Sequence, residues 1–170
     1  MRLYRDRIPL IAKDIVLKLA EDGDIEVENP DEASLDAESV LNEYLRLSIE
    51  ITEKAKERLI SAKLPYSSLG RLKKTLADER GFQFGEEGVR YISVQMVEMF
   101  MQSNNIDEIF TEDFELRNKI EPILQKHMSL DDEIDAEVRK RMKNLEEGTT
   151  TWDIEYQNTL EKIKVRYGLE

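Results

Sequence analysis

Apolar residues recur at helical spacing along most of the chain. Ile8, Ile11, Ala12, Ile15, Val16 and Leu19 form one stripe, with Asp6 placed to cap, Pro9 in the first turn and Gly23 as the stop. Residues 24–28, DIEVE, alternate and predict a short strand or extended link, which NPDE breaks. Asp31 or Ser34 is placed to cap a long second helix carrying Leu35, Val40, Leu41, Tyr44, Leu45, Ile51, Ala55 and Leu59, ended by Pro65. Ser67 or Ser68 opens a third helix through Leu69, Leu72 and Leu76, closed by Gly81.

The pattern then starts again. Phe84, Val89, Ile92, Met96, Val97, Phe100 and Ile106 match Leu3, Ile8, Ile11, Ile15, Val16, Leu19 and Ile25 at an offset of 81. The offset becomes 83 in the second helix, where Glu38, Leu41, Leu47, Glu50, Ile51 and Arg58 are identical to their counterparts in 121–142. Thr149–Thr151 stand where Ser67–Ser68 stood, and Trp152, Tyr156, Leu160, Ile163 and Tyr167 form the last stripe. The expected fold is all-α or nearly so: two tandem units, 1–81 and 82–170, of about three helices each. MRLY, DIEVE and their echoes are short extended pieces able to pair into a minimal sheet. Pro122 should kink or restart the second long helix, because it removes a backbone donor. Ser129 with Asp132 is a candidate capping pair beyond it.

The repeated positions are mostly apolar, so what recurs is a packing face. The first helices of the two units differ outside that face. Leu10 and Leu17 lie opposite the main stripe of the first. In the second, Val94, Met96, Met99 and Met101 join the stripe residues to cover well over half the circumference. These six are candidate protein-interface residues, either at the seam between the units or toward a protein partner or second copy. Trp152 and Tyr156 are read as structural anchors of the last helix.

Composition narrows the chemistry. The chain has 170 residues, net charge −12, a pI near 4.7 and no cysteine. Residues 1–81 carry 14 basic and 17 acidic side chains and the remainder 11 and 20, so neither half is basic and nucleic acid is disfavoured as a partner. The most basic stretch, Lys54, Lys56, Arg58, Lys63, Arg71, Lys73 and Lys74, is interleaved with Glu53 and Glu57. The absence of cysteine removes disulfides and thiolate sites. MRLYRDRIPL has no apolar core of a secretory signal, and no run is long enough to cross a membrane, so a cytoplasmic location is expected.

Four segments, MRLYRDRI at 1–8, EYL at 43–45, VRKRM at 138–142 and TTWDIEYQNTLEK at 150–162, resemble the bacterial domain-of-unknown-function family 507. The resemblance covers most of the chain, and the Trp-Asp-Ile-x-Tyr segment is its most specific part. It implies a cytoplasmic bacterial protein and brings no activity and no site residue. The first unit has Leu69 where the second has Trp152.

Candidate catalytic constellations are weak. Asp131, Asp132, Glu133 and Asp135 are an acidic run whose neighbours point in different directions on a helix. His127, the only histidine, has no Glu three residues before it and no second His. DGDIEVENPDEA at 22–33 lacks the Gly and the final Glu of a calcium loop. No catalytic, cofactor or metal residues are therefore assigned. The expected function is a non-enzymatic protein-interaction or scaffold module. A carboxylate-based metal or ligand binder using Asp131, Asp132, Asp135, Asp153 and Glu155 is one alternative. An RNA-associated factor using Lys54–Lys74 is the other.

Overall fold

The computed structural model describes residues 2–169. After a 3-10 turn at Arg5–Arg7, the chain forms α1 (Ile8–Glu21), β1 (Ile25–Glu26), α2 (Pro30–Ser61) and α3 (Leu69–Glu79). It continues with α4 (Glu86–Gln102), β2 (Glu108–Ile109), α5 (Asp113–Arg141) and α6 (Thr150–Arg166). The protein is thus helical but for one two-residue ribbon, in which β1 pairs antiparallel with β2, Ile25 opposite Ile109 and Glu26 opposite Glu108. The order helix, short strand, long helix, shorter helix occurs twice.

Each long helix is the spine of its half. α1 and α3 pack on α2, and α4 and α6 pack on α5. The halves are also joined crosswise, α2 to α4 and α1 to α5. One hydrophobic core therefore draws on both, from Ile11, Ile15 and Leu41 to Ile92, Met96, Leu116 and Leu124. It does not divide at residue 81. A smaller cluster, Tyr4, Ile134, Val138, Met142, Tyr156, Leu160 and Ile163, fills the α5–α6 end. Three of the matched pairs, Leu41 and Leu124, Ile51 and Ile134, and Ala55 and Val138, are inside on both sides.

Several local expectations change. The cap of α2 is Asn29, whose Oδ1 accepts from the amides of Asp31 (3.1 Å) and Glu32 (3.4 Å), with Pro30 at the first helical position. Asp6 sits within the 3-10 turn and makes no cap. The Ser68 side chain caps nothing either, since a second 3-10 turn, Tyr66–Ser68, leads into α3. Thr149 does cap α6, accepting from the Trp152 amide at 3.2 Å. Met1 lies outside the described residues; residues 2–4 and FQF form no strand, and the second strand lies at 108–109, just past the buried Ile106. α5 runs unbroken through Pro122, so Ser129 and Asp132 are mid-helix and start nothing. Leu116, Ile120, Leu124 and Met128 are all buried on both sides of that proline, and this burial outweighs one missing amide donor.

The start of α4 depends on a close approach. Tyr44 stacks on Phe82, with centroids 4.8 Å apart, and donates its hydroxyl to the Gln83 carbonyl at 2.9 Å. A Cβ on Gly88 would stand 2.3 Å from that hydroxyl oxygen and 2.9 Å from the Gln83 carbonyl oxygen. Gly88→Ala should cost about 1–3 kcal/mol by overpacking. Adding Tyr44→Phe should recover part of that loss, a non-additivity that urea unfolding of both single variants and the double would reveal. Additive losses would show that the hydroxyl is not what the new methyl meets.

Candidate functional site

The six interface candidates do not form one face. Met96 is fully buried and belongs to the shared core, so it is unavailable to an outside partner. Met99 is partly covered and packs against the same core, and Leu17 and Val94 are partly covered. Only Leu10, 47% exposed, and Met101, 54% exposed, project into solvent. A small hollow of about 220 Å³ between α2 and α4 is lined by Tyr44, Tyr91, Met99 and the acids Glu43 and Glu98.

A larger concavity is a groove of about 520 Å³ between the α2–α3 pair and the α5–α6 pair. α2 supplies Leu45, Ser48, Ile49, Thr52, Glu53 and Lys56. The lead into α3 and its first turns supply Tyr66, Leu69 and Lys73, and Phe84 follows. Across from them stand Arg139 from α5, Glu147 and Gly148 from the connection, and Trp152, Asp153, Tyr156 and Gln157 from α6. Arg2 and Leu3 join from the N-terminal segment. Gly148 makes the approach possible. It turns the chain into α6 at φ +93°, with the Tyr66 ring 3.1 Å from where a Cβ would be.

Trp152 is partly buried against the α5–α6 cluster, stacked on the buried Tyr156 at 5.0 Å, and the Arg139 guanidinium lies 5.1 Å from its ring. Tyr156 is the more deeply buried of the pair. Its hydroxyl donates to Asp135 and lies 2.9 Å from the Tyr4 hydroxyl, and burial raises its pKa. Asp135 also takes the Arg139 Nε at 2.9 Å and faces Arg2 at 3.5 Å. Arg139 reaches Glu147 at 2.7 Å as well. Lys73 is half-buried, its amine 4.7 Å from the Phe84 centroid. Its pKa is lowered, first by burial and then by the positive charges of Arg2, Lys56 and Arg139.

Behind this wall lies a buried polar chain that the sequence reading missed. Arg7 Nε and Asp131 Oδ1 are 2.6 Å apart, in ionic contact but off the hydrogen-bonding line. Arg7 Nη2 lies 3.0 Å from His127 Nδ1, and His127 Nε2 lies 2.7 Å from Asp14. Arginine has only donors, so Nδ1 accepts and the ring proton sits on Nε2, facing Asp14. The Tyr4 amide donates to Asp131 at 3.4 Å. His127 is thus a structural link. The acidic run is likewise divided between tasks, Asp131 facing inward and Asp135 toward the groove wall. The available signal was charge at core spacing: Asp131 interrupts the stripe of Met128, Ile134 and Val138, and Arg7 stands four residues before Ile11.

Among the described residues no helix is long and apolar enough to cross a membrane, and no three His, Asp or Glu side chains gather as metal ligands. The chain belongs to the family described as protein of unknown function (DUF507), whose sequence model matches residues 1–169. The resemblance carried by MRLYRDRI and TTWDIEYQNTLEK is therefore borne out. Comparison with curated proteins gives no match.

Burial pushes the Asp131 carboxyl up to about 6, against the pull of Arg7. A raised folded-state pKa means that the folded state holds the proton more tightly than the unfolded one. Asp131 therefore favours folding most below the unfolded carboxylate range, and this contribution is lost as pH rises through about 6. The stability difference between wild type and Asp131→Asn, from urea unfolding, should shrink by about 2–3 kcal/mol from pH 4 to pH 7.5. A pH-independent difference, or a carboxyl NMR midpoint near 4, would contradict this account.

Proposed function

We propose that the chain is a non-enzymatic interaction module that receives its partner in the groove between the α2–α3 and α5–α6 pairs. The observation that carries this reading is the groove itself, about 520 Å³, with Tyr66, Phe84, Trp152 and Tyr156 beside Arg2, Lys56 and Lys73. A concave surface of apolar walls with a few convergent polar groups is the usual form of a binding site. The side chains best suited to acid–base work are held in internal bridges: His127 between Arg7 and Asp14, and Asp135 among Tyr156, Arg139 and Arg2. That favours recognition over catalysis. Lys54 lies 2.9 Å from Glu50 and Lys56 3.4 Å from Glu53, which weakens the case for an RNA-tracking face on α2.

We read the two halves as copies of one unit, and the groove supports this. Residues matched in sequence line it together: Leu3 with Phe84, Lys56 with Arg139, Leu69 with Trp152, and Lys73 with Tyr156. Antiparallel pairing of β1 with β2 is what a local two-fold axis between copies would produce. A cytoplasmic location remains part of the proposal.

Filling the groove tests the reading. Thr52→Phe adds bulk to its α2 wall, and Leu10→Ser with Met101→Ser alters the exposed apolar positions elsewhere. Each variant and the wild type are immobilised and exposed to a lysate of the source cell, and bound proteins and small molecules are identified by mass spectrometry. A species retained by wild type and lost with a folded Thr52→Phe variant supports docking in the groove. Retention unaffected by Thr52→Phe but abolished by the Leu10/Met101 pair moves the contact to α1 and α4.

A further inference from the structure

The lining of the groove is electrically unbalanced. Lys56 meets Glu53 at 3.4 Å and Arg139 meets Glu147 at 2.7 Å. Arg2 and Arg139 share one carboxylate, Asp135, just behind the wall. Among the described residues no carboxylate lies within ion-pairing distance of Lys73, which has only the face of Phe84. The remaining acid, Asp153, is exposed at the rim. Lys73 is a half-buried ammonium acted on by the like charges of Arg2, Lys56 and Arg139 and by one acid, Glu147, that lies beyond ion-pairing distance. The groove around it also has partly exposed aromatic walls, Trp152 on one side and Tyr66 and Phe84 on the other.

We infer that the groove takes a small organic anion, with a planar ring laid against Trp152 and an oxyanion group, phosphate, sulfate or carboxylate, on Lys73. This rests on the groove being the binding surface. Three arguments select the class. An oxyanion at Lys73 would pair the unpaired ammonium and relieve its repulsion from Arg2, Lys56 and Arg139, and a charge-assisted bond in a partly desolvated site is among the stronger polar contacts. The volume, about 520 Å³, lies in the range of sites for ligands of small-molecule size. The overall charge decides against a polyanion. Screening confines electrostatics to about 8 Å at physiological salt, so a small anion inside the groove feels chiefly its lining. The sequence match gives the division of labour. The copies contribute Leu69 and Lys73 on one wall and Trp152 and Tyr156 at the same positions on the other, so one wall holds the charge and the other the ring.

Trp152 is the only tryptophan and serves as the reporter. The full chain is titrated with phenyl phosphate, inorganic phosphate and benzyl alcohol, following its emission, with calorimetry in parallel. Phenyl phosphate should change the emission saturably, raise the melting temperature and bind less tightly as sodium chloride is added. Lys73→Gln should weaken it about tenfold or more, the loss expected for one charge-assisted contact. Lys73→Arg should retain most of the affinity, and Lys162→Gln, on the exposed side of α6, should leave it unchanged. Melting curves show that each variant is folded, and if Lys73→Gln is not, Lys56→Gln with Lys73→Arg carries the charge test. Inorganic phosphate and benzyl alcohol, each offering half of the chemistry, should bind more weakly than phenyl phosphate. No saturable response to phenyl phosphate, equal affinity in a folded Lys73→Gln variant, or benzyl alcohol binding as tightly would overturn the assignment. If phenyl phosphate fails while Thr52→Phe still abolishes capture from lysate, the anion assignment falls and the docking groove stands. If calorimetry shows Thr52→Phe binding phenyl phosphate as wild type does, the groove is not the site and both readings fall.

Discussion

The ion pair of Arg7 with Asp131 sits where a small helical protein can least tolerate a charge. Arg7 is 4% exposed, Asp131 is fully buried, and their closest atoms are 2.6 Å apart. Bringing two such groups out of water costs several kcal/mol per ion, so a pair of this kind is weak evidence of stability in itself. Its consequence is positional. Removing either partner would leave the other buried and uncompensated, so the 3-10 turn at the chain's start is fixed against the middle of α5. Tyr4 is carried with it and meets both Asp131 and Tyr156. Arg2 then lies over the Tyr4 and Tyr156 rings, at 5.2 and 5.4 Å. The floor of the groove follows from that one tie, because Arg2 and Leu3 reach the lining only while Arg7 is held.

The second determinant is the crossing of the halves. α2 packs on α4 and α1 on α5, so neither half has a complete core alone. The groove lies between the α2–α3 pair and the α5–α6 pair. Its walls are the third and last helices, attached each to its own spine. Contact across the opening comes from the side chains that the Gly148 turn allows to meet, Tyr66 against the start of α6. The groove is thus a product of how the halves meet, and it would exist in outline whatever residues lined it.

Most of the fold was legible because it rests on apolar periodicity, a property that a chain shows without its partners. Each expected helix is present, and the paired positions Leu41/Leu124 and Ile51/Ile134 are buried together. What could not be read depended on context. Pro122 breaks a helix by local rules, but the buried residues before and after it keep α5 whole. Met96 and Met101 look alike in sequence, yet one faces the seam and the other faces water. Trp152 and Tyr156 stand in one apolar stripe, yet the Tyr156 hydroxyl is held by Asp135, a carboxylate 21 residues away in the chain and adjacent only after folding. Lys73 is one lysine among seven cations, and nothing in its neighbours along the chain marks it as the half-buried one without an ion pair. Long-range pairings such as Arg7–Asp131 and Tyr4–Tyr156 leave a trace only as charge or hydroxyl at core spacing.

The chain carries twelve surplus negative charges, which disfavours a polyanion as its partner. Within the groove the order is reversed, since Arg2, Lys56, Lys73 and Arg139 outnumber Glu53, Glu147 and Asp153 along the lining. Such a reversal is costly to maintain, because half-burial and mutual repulsion both work against the charge on Lys73. Packing explains the aromatic walls and the buried bridges behind them, since each of those groups gains a partner within the chain. It does not explain Lys73, which gains only a ring face. A charge held against burial and repulsion, without an internal partner, is better accounted for by an occupant than by the fold.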